Sequence, residues 1–172
     1  MTAADLESRL RGTGVSDVLL PGFIDDEAQP HRFRALPQAI YFECNSSLLK
    51  FEAIATTGTM HVSLADNLSV SVDLDDDMVP AIASLREQVL DDPVGSNLLL
   101  EIRLWNLAED ENGLRCAAAQ LQLANGQQVF LDPSYYFGIR VGGTRQRDIW
   151  FDTWPDAKGA REHIVELVVG SA

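Results

Sequence analysis

The residues with the greatest chemical potential lie at positions 130–154, where seven of the chain's thirteen aromatic residues fall. Three arginines accompany them around the glycine pair Gly142 and Gly143. Tyrosine and tryptophan offer large, rigid contact surfaces, and arginine stacks on aromatic rings or binds a carboxylate through two hydrogen bonds. This composition is typical of the side chains that dominate binding at protein interfaces.

Neighbouring side chains on a strand point to opposite faces, so one of the adjacent residues Tyr135 and Tyr136 should be exposed. We therefore predict a binding surface within residues 135–154, in which an outward tyrosine and tryptophan anchor a partner and arginine fixes its orientation. The predicted binding residues are Tyr135, Arg140, Arg145, Arg147, Trp150 and Trp154. The alternative interpretation is that these aromatic residues form an ordinary core beside a sheet.

The run Gly-Gly-Thr-Arg-Gln-Arg at residues 142–147 combines a flexible backbone with cations, which suits an anion. It lacks the GxxxxGK[ST] spacing of a phosphate-binding loop, and the residues after it predict a strand where such a loop needs a helix. A hairpin turn with positive-φ glycines and solvated arginines is the simpler interpretation. Capture of a phosphate or carboxylate is the alternative.

Signals for catalysis are weak. None of the three histidines has a partner at metal-ligand spacing, and the chain has no G-x-S-x-G nucleophile motif. His61, on the polar face of a predicted strand, could form an acid–base pair with Glu52 or Asp73. We predict no cofactor, and an enzyme is the less favoured class.

Three alternating aspartates, Asp73, Asp75 and Asp77, occupy the first positions of a calcium-loop pattern. Met78 stands where that loop needs glycine, and Ser84 stands where it needs a bidentate glutamate. A solvated acidic strand end is the better interpretation, and we predict no specific metal site.

The net charge of −13 is concentrated in the first two-thirds of the chain. Residues 1–111 hold 20 acidic and 7 basic residues, whereas residues 112–172 hold 6 of each. A negative field repels phosphate backbones, which argues against nucleic-acid binding, and it attracts a basic partner. Solubility alone is the simpler explanation of this acidity.

The two cysteines, Cys44 and Cys116, are far apart and form no CxxC or Cys/His motif. Charged residues within the first eleven positions interrupt any signal-peptide core, and no apolar run reaches membrane-spanning length. We expect a cytoplasmic protein with no membrane contact and two reduced, buried thiols.

Apolar and polar residues alternate from position 38 onward, which predicts half-buried antiparallel strands. Strands are expected at 15–20, in four segments between 40 and 74, at 98–107, 114–124 and 127–131, and in a hairpin of 135–141 with 148–153. Asn125-Gly126 is a strong hairpin signal, and residues 65–67 should form a three-residue loop with Asn67 left-handed. The residues expected to be buried are Ile40, Phe42, Phe51, Val62, Val70, Val72, Ile102 and Leu104, whereas His61 should be partly exposed.

Three helices are predicted from capping residues and apolar stripes. The first begins in a capping box of Thr2 and Asp5 and ends near residue 11. The second begins at Asp77. The third begins at Asp156, with a stripe formed by Ala157, Ala160, Ile164 and Leu167.

These elements predict a single α+β domain spanning residues 1–172. Its curved, mainly antiparallel sheet should have about six to eight strands, with N-terminal, central and C-terminal helices. The element order and the acidity resemble those of small acidic secretion chaperones and toxin-neutralising immunity proteins. That resemblance, together with the aromatic surface, favours a protein-binding module with a protein partner. A basic partner is expected if the negative charge of the chain attracts it, and a homodimer is compatible with the same features. The alternative is a small-ligand or anion-binding protein, or an enzyme, with a site between sheet and helix.

Overall fold

A long antiparallel sheet dominates the computed structural model, which describes residues 1–25, 30–45, 47–55, 57–69, 74–76, 78–111, 113–155 and 157–168. The described elements, in chain order, are α1 (Ala3–Leu10), β1 (Gly14–Asp25), β2 (Phe33–Ala35), β3 (Ala39–Cys44), β4 (Ser47–Ile54), β5 (Thr59–Ala65), β6 (Met78–Ser84), α2 (Arg86–Val89), β7 (Asn97–Trp105), β8 (Ala108–Asp110), β9 (Gly113–Cys116), β10 (Ala118–Leu123), β11 (Gln128–Tyr135), β12 (Gly138–Gly142), α3 (Thr144–Thr153), a 3-10 turn (Ala157–Gly159) and β13 (Glu162–Glu166).

The strands form one sheet in the order β12-β11-β10-β7-β1-β3-β4-β5-β9-β8. β13 also pairs with β7, and β2 and β6 pair with the far end of β1. The sheet curves so that buried side chains from β3, β4 and β5 share one core with those from β7, β10 and β11. The chain is thus a single sheet-rich domain.

The alternation of residues 40–64 produces the predicted rows of buried side chains. Ile40 lies opposite Phe51, which lies opposite Val62 on the next strand. His61 is partly exposed, as predicted. Six of the residues expected in the core are at most 2% exposed, namely Ile40, Phe42, Phe51, Val62, Ile102 and Leu104. Val70 and Val72 lie outside the described residues.

The N-terminal helix is confirmed together with its cap. The Asp5 backbone N–H donates to Thr2 Oγ1 at 3.2 Å, and Asp5 Oδ2 accepts from the Thr2 backbone N–H at 2.8 Å. These bonds satisfy two helix-terminal donors reciprocally, and the hydrogen bonds that the Asp5 carboxylate accepts from the Thr2 backbone and hydroxyl lower its pKa. Leu6 and Leu10 are fully buried and attach the helix to the core.

The fold-class prediction was right in part. The sheet is antiparallel and three helices are present, but the described residues contain thirteen strands rather than six to eight, and the fold is more sheet than α+β. The additional strands come mainly from segments expected to be helix or loop.

The predicted central helix is largely a strand. Residues 78–84 form β6, which pairs along its length with β1 from Leu19 to Asp25, and a single helical turn, α2, follows. β1 continues through Pro21 and Gly22, where the sequence predicted its end, and so supplies an edge for β6. Pro80 is tolerated because β6 has only β1 as a described neighbour, and proline is accepted on an edge strand.

The last two predicted elements exchange their types. Residues 144–153, expected to contain a strand, form α3, and the expected C-terminal helix is a 3-10 turn followed by β13. In β13 the buried residue is Val165, while Ile164 is 44% exposed, so the period is two and not 3.6. Asp156 lies outside the described residues.

The predicted loop at 65–67 is also wrong in its backbone conformation. Among described non-glycine residues, positive φ occurs at Asn45 and Asn106 rather than at Asn67. Leu68 and Ser69 lie outside strands, and residues 70–73 of the predicted strand fall outside the described residues. The Asn125-Gly126 hairpin is confirmed, with Gly126 at φ +91° between β10 and β11.

Both cysteines are free and buried. Burial, with a smaller contribution from Glu43, raises the pKa of Cys44 to about 12, and burial also raises the pKa of Cys116. None of the helices in the described ranges is long and apolar enough to cross a membrane.

We predict that the native thiols resist alkylation by iodoacetamide at pH 8, whereas unfolding in guanidinium under non-reducing conditions exposes two reactive groups. Because unfolded thiols ionise near pH 8.5 and folded ones do so near 12 for Cys44, unfolding releases protons in that window. The free energy of unfolding should therefore fall as the pH rises above about 8.5. Mass spectrometry of the labelled protein measures the first effect, and rapid native labelling would contradict the burial.

Candidate functional site

The turn between β11 and β12 presents three consecutive aromatic side chains, which we name the aromatic tip. Tyr135 is 41% exposed, Tyr136 92% and Phe137 60%. The Phe137 ring lies 5.4 Å from that of Tyr135 and 5.2 Å from that of Tyr136, between centroids. Both tyrosines are exposed because the strand pairing shifts register between Asp132 and Tyr135, so strict alternation ends before the turn.

A buried carboxylate organises the start of the aromatic tip. Asp132 is 3% exposed, and its Oδ1 accepts hydrogen bonds from the Ser134 backbone N–H at 2.9 Å and from the Ser134 hydroxyl. Its Oδ2 accepts from Gln146 Nε2, on α3, at 2.8 Å. Asp132 therefore ties the aromatic tip to the helix.

Gly138 sets the other side of the turn. Its φ is +134°, and a Cβ at this position would lie 2.2 Å from the Pro37 carbonyl oxygen. That oxygen accepts a hydrogen bond from the Ile139 backbone N–H at 2.7 Å. Glycine is required because a side chain would push the hairpin away from the segment before β3.

An open groove of about 550 Å³ lies beside the aromatic tip, and we name it the aromatic groove. The turn between β4 and β5 forms its opposite wall, and Trp154 lies at its edge, where its ring covers Gly58. A Cβ on Gly58 would come within 2.3 Å of that ring. The described lining residues are Gln38, Ala53, Ile54, Ala55, Thr57, Gly58, Pro133, Ser134, Tyr135, Tyr136, Phe137, Gly138 and Trp154.

Arg140 borders the aromatic tip from β12. Its guanidinium carbon lies 4.3 Å from the centroid of the Tyr135 ring, a stacking distance at which the ring attracts the cation. The side chain is exposed, and it forms no ion pair with any residue in the described ranges. Two of the predicted binding residues, Tyr135 and Arg140, are therefore in contact.

Trp150, one of the predicted binding residues, lies in the core, in agreement with the alternative interpretation of the aromatic cluster. It is fully buried on α3, with ring centroids 6.0 Å from Trp105 and 5.9 Å from Phe130. Residues 148–153 were expected to form a strand, but Trp150 lies on a helix, from which its side chain points at the sheet. Trp150 is therefore part of the core and cannot act as an exposed anchor, whereas Trp154 is partly buried and accessible from the groove.

Arg145 and Arg147 lie in the first turn of α3 and are not among the described lining residues of the aromatic groove. At 1.5 Å per residue, Arg145 is about 13 Å along the helix from Trp154. Arg147 pairs with Asp148 at 3.2 Å, and Arg145 is exposed. The structure therefore separates Arg145 and Arg147 from Trp154 by the length of α3, whereas Tyr135 and Arg140 lie on the β11–β12 hairpin.

A helix does follow Gly142 and Gly143, contrary to the sequence-based argument against a phosphate-binding loop. Gly143 caps α3 without a side-chain hydrogen bond, and a recess of about 530 Å³ adjoins it. Asp91 also lines this recess, which disfavours an anion. The arrangement matches a helix start more closely than an anion site.

His61 and Glu52 lie directly opposite each other on β5 and β4. Glu52 instead pairs with Lys50 at 2.8 Å, and His61 Nδ1 has no hydrogen-bond partner among the described residues. Asp73 and Asp77 lie outside the described residues. Within those residues, no group of three His, Cys, Asp or Glu side chains is placed to hold a metal ion.

The chain matches no protein family, no curated protein and no solved structure. The candidate site is consequently defined by its own geometry. Sequence reasoning missed two of its most exposed members, Tyr136 and Phe137, and the groove floor at Ala53 and Ile54. Pro133 and Gly138 bracket the aromatic run and could have indicated a turn there.

We predict that Asp132→Ala lowers the free energy of unfolding by about 2 kcal/mol, because the amide of Gln146 and the backbone of Ser134 lose their buried acceptor. For a chain of this size that corresponds to a melting temperature about 4–8 °C lower. Thermal unfolding followed by circular dichroism measures it. Asp152→Ala, an exposed aspartate on the same helix, is the control and should change stability by less than about 0.5 kcal/mol.

A second prediction separates the two aromatic environments. Trp150→Ala should cost about 3–5 kcal/mol, as for other large-to-small core substitutions, whereas Tyr136→Ala should cost less than about 0.5 kcal/mol. Chemical denaturation measures both. Equal losses for the two variants would show that the aromatic tip is part of the core.

Proposed function

We propose that this chain is a protein-binding module and that the aromatic tip, with Arg140 and Trp154 at its sides, is the docking surface. The observation that carries the proposal is the exposure of three consecutive aromatic side chains at 41%, 92% and 60%. Adjacent exposed aromatic residues leave apolar area in water, and contiguous patches of this kind mark interaction sites.

The way the aromatic tip is held supports a binding role. Hydrogen bonds to Asp132 and the close approach at Gly138 fix the backbone on both sides of the turn. Tyrosine and phenylalanine have few torsions to freeze, so a partner gains contact area at a small entropic cost. A preorganised aromatic surface therefore favours association.

The alternative of a ligand or catalytic site between sheet and helix has less support. The interface of α3 with the sheet is filled by Trp105, Phe130 and Trp150, together with Ala117 and Ala118. The described lining of the aromatic groove carries no charged or imidazole side chain that could transfer a proton. The groove fits recognition better than chemistry.

The resemblance to immunity proteins and secretion chaperones is part of this proposal. In both classes a small acidic domain binds one protein partner, which agrees with the composition of this chain. The proposed role needs no cofactor and no metal.

The test begins with a partner purified together with the tagged chain from its native host, then expressed and purified alone. Its affinity is measured by calorimetry against the wild type, Tyr136→Ala and Phe137→Ala. Loss of an interface anchor typically costs 2 kcal/mol or more, about a thirty-fold rise in Kd. We expect that rise in at least one variant with an unchanged melting temperature.

Val94→Ala is the matched control, because Val94 is 94% exposed and does not line the groove. It should leave Kd unchanged within about twofold. If the partner binds all three variants as tightly as the wild type, the aromatic tip is not the docking surface. Failure to retain any protein under native conditions would also contradict the proposal.

A further inference from the structure

We infer that the partner segment docked at the aromatic tip is uncharged where it enters the aromatic groove and carries a carboxylate that pairs with Arg140. This inference rests on the proposed function and specifies the chemistry of the partner. It runs against the whole-chain charge, which by itself would point to a basic partner.

The described lining of the aromatic groove is uncharged. All thirteen described lining residues are uncharged, although the chain holds 26 acidic and 13 basic residues. The polar side chains among them, including Gln38, Thr57 and Ser134, carry hydroxyl and amide groups. A charged side chain buried there would find no counter-ion in the described lining and would lose its hydration, so the segment that fills the groove should be uncharged.

The Arg140 guanidinium is held in place without an ion pair among the described residues. Stacking on Tyr135 at 4.3 Å holds the guanidinium at the rim of the aromatic tip. Asp132 lies directly opposite on β11, but its oxygens accept hydrogen bonds from Ser134 and Gln146. Arg140 forms no ion pair with a described residue, so its planar set of donors is available for a carboxylate.

The net charge of the whole chain and the local charge at the aromatic tip act over different distances. At physiological ionic strength, interactions between exposed charges are screened beyond about 8 Å. The net charge of −13 therefore influences the rate of encounter, whereas the charges within contact distance decide which segment fits. At the aromatic tip, the Arg140 guanidinium stacks on Tyr135 and places a positive charge there, which repels a lysine and attracts a glutamate.

The experiment uses a display library of random dodecapeptides, selected on the full chain and counter-selected on Tyr136→Ala. We expect the binders that depend on the aromatic tip to contain an uncharged apolar run next to an enriched Asp or Glu. The strongest binder is then synthesised, and its Kd is measured by fluorescence anisotropy against the wild type and variants of Arg140.

Arg140→Gln and replacement of the peptide carboxylate by an amide should each weaken binding at least tenfold, and the two changes together should weaken it no further. Arg140→Glu should recover affinity for a peptide with Lys at that position. Arg145→Glu makes the same charge change at an exposed arginine in the first turn of α3 that is not among the described lining residues of the groove, and it should alter Kd by less than about twofold. Since Arg140 and Arg145 are both exposed, the variants Arg140→Gln, Arg140→Glu and Arg145→Glu should have the same melting temperature as the wild type.

Two failures are distinguishable. Binders that depend on Tyr136 but show no acidic enrichment, or whose Kd is unchanged by Arg140→Gln, overturn the inference and leave the proposed docking surface intact. A library with no binder that depends on Tyr136 contradicts the proposed function itself, and the inference falls with it.

Discussion

The packing of Trp150 against Trp105 and Phe130 is the contact on which the candidate site depends. It fixes α3 on the face of the sheet opposite the main core. Because α3 is fixed, Gln146 reaches Asp132 at one of its turns, and Trp154 reaches Gly58 just after its end. The aromatic tip and the wall of the groove are therefore both positioned by a side chain that takes no part in the exposed surface.

This dependence explains which parts of the fold could be predicted. The strands at 40–64 follow from alternation, because each has one face in the core and one in water. α3 has little helical signal of its own, since its cap makes no side-chain hydrogen bond and its first turn has no acidic residue. It is a helix because tertiary packing of Trp150 stabilises it, and a local pattern cannot reveal such packing. Similarly, β6 is a strand because β1 continues past Pro21 and offers it an edge.

The candidate site was predictable to the extent that composition decides it. The clustering of aromatic residues and arginine indicated the segment in which the candidate site lies, and two of the predicted binding residues, Tyr135 and Arg140, stack on each other there. The choice among the remaining residues required the element types, since Trp150 was expected on a strand but lies on a helix that packs on the sheet. Tyr136 and Phe137 were missed because alternation was assumed to continue through a turn, where backbone geometry alone sets side-chain direction.

The aromatic groove also lies where the two halves of the curved sheet meet. The β4–β5 turn comes from one half and the β11–β12 turn from the other. Each turn contains or ends at a glycine that another part of the chain approaches closely. At Gly58 a side chain would collide with Trp154, and at Gly138 it would collide with the Pro37 backbone. Both glycines also have positive φ, so the backbone of any other residue at these positions would be strained. The curvature of the sheet thus brings together two turns that lie far apart in the strand order, and an occupant that touches both of them stabilises the folded state by binding it.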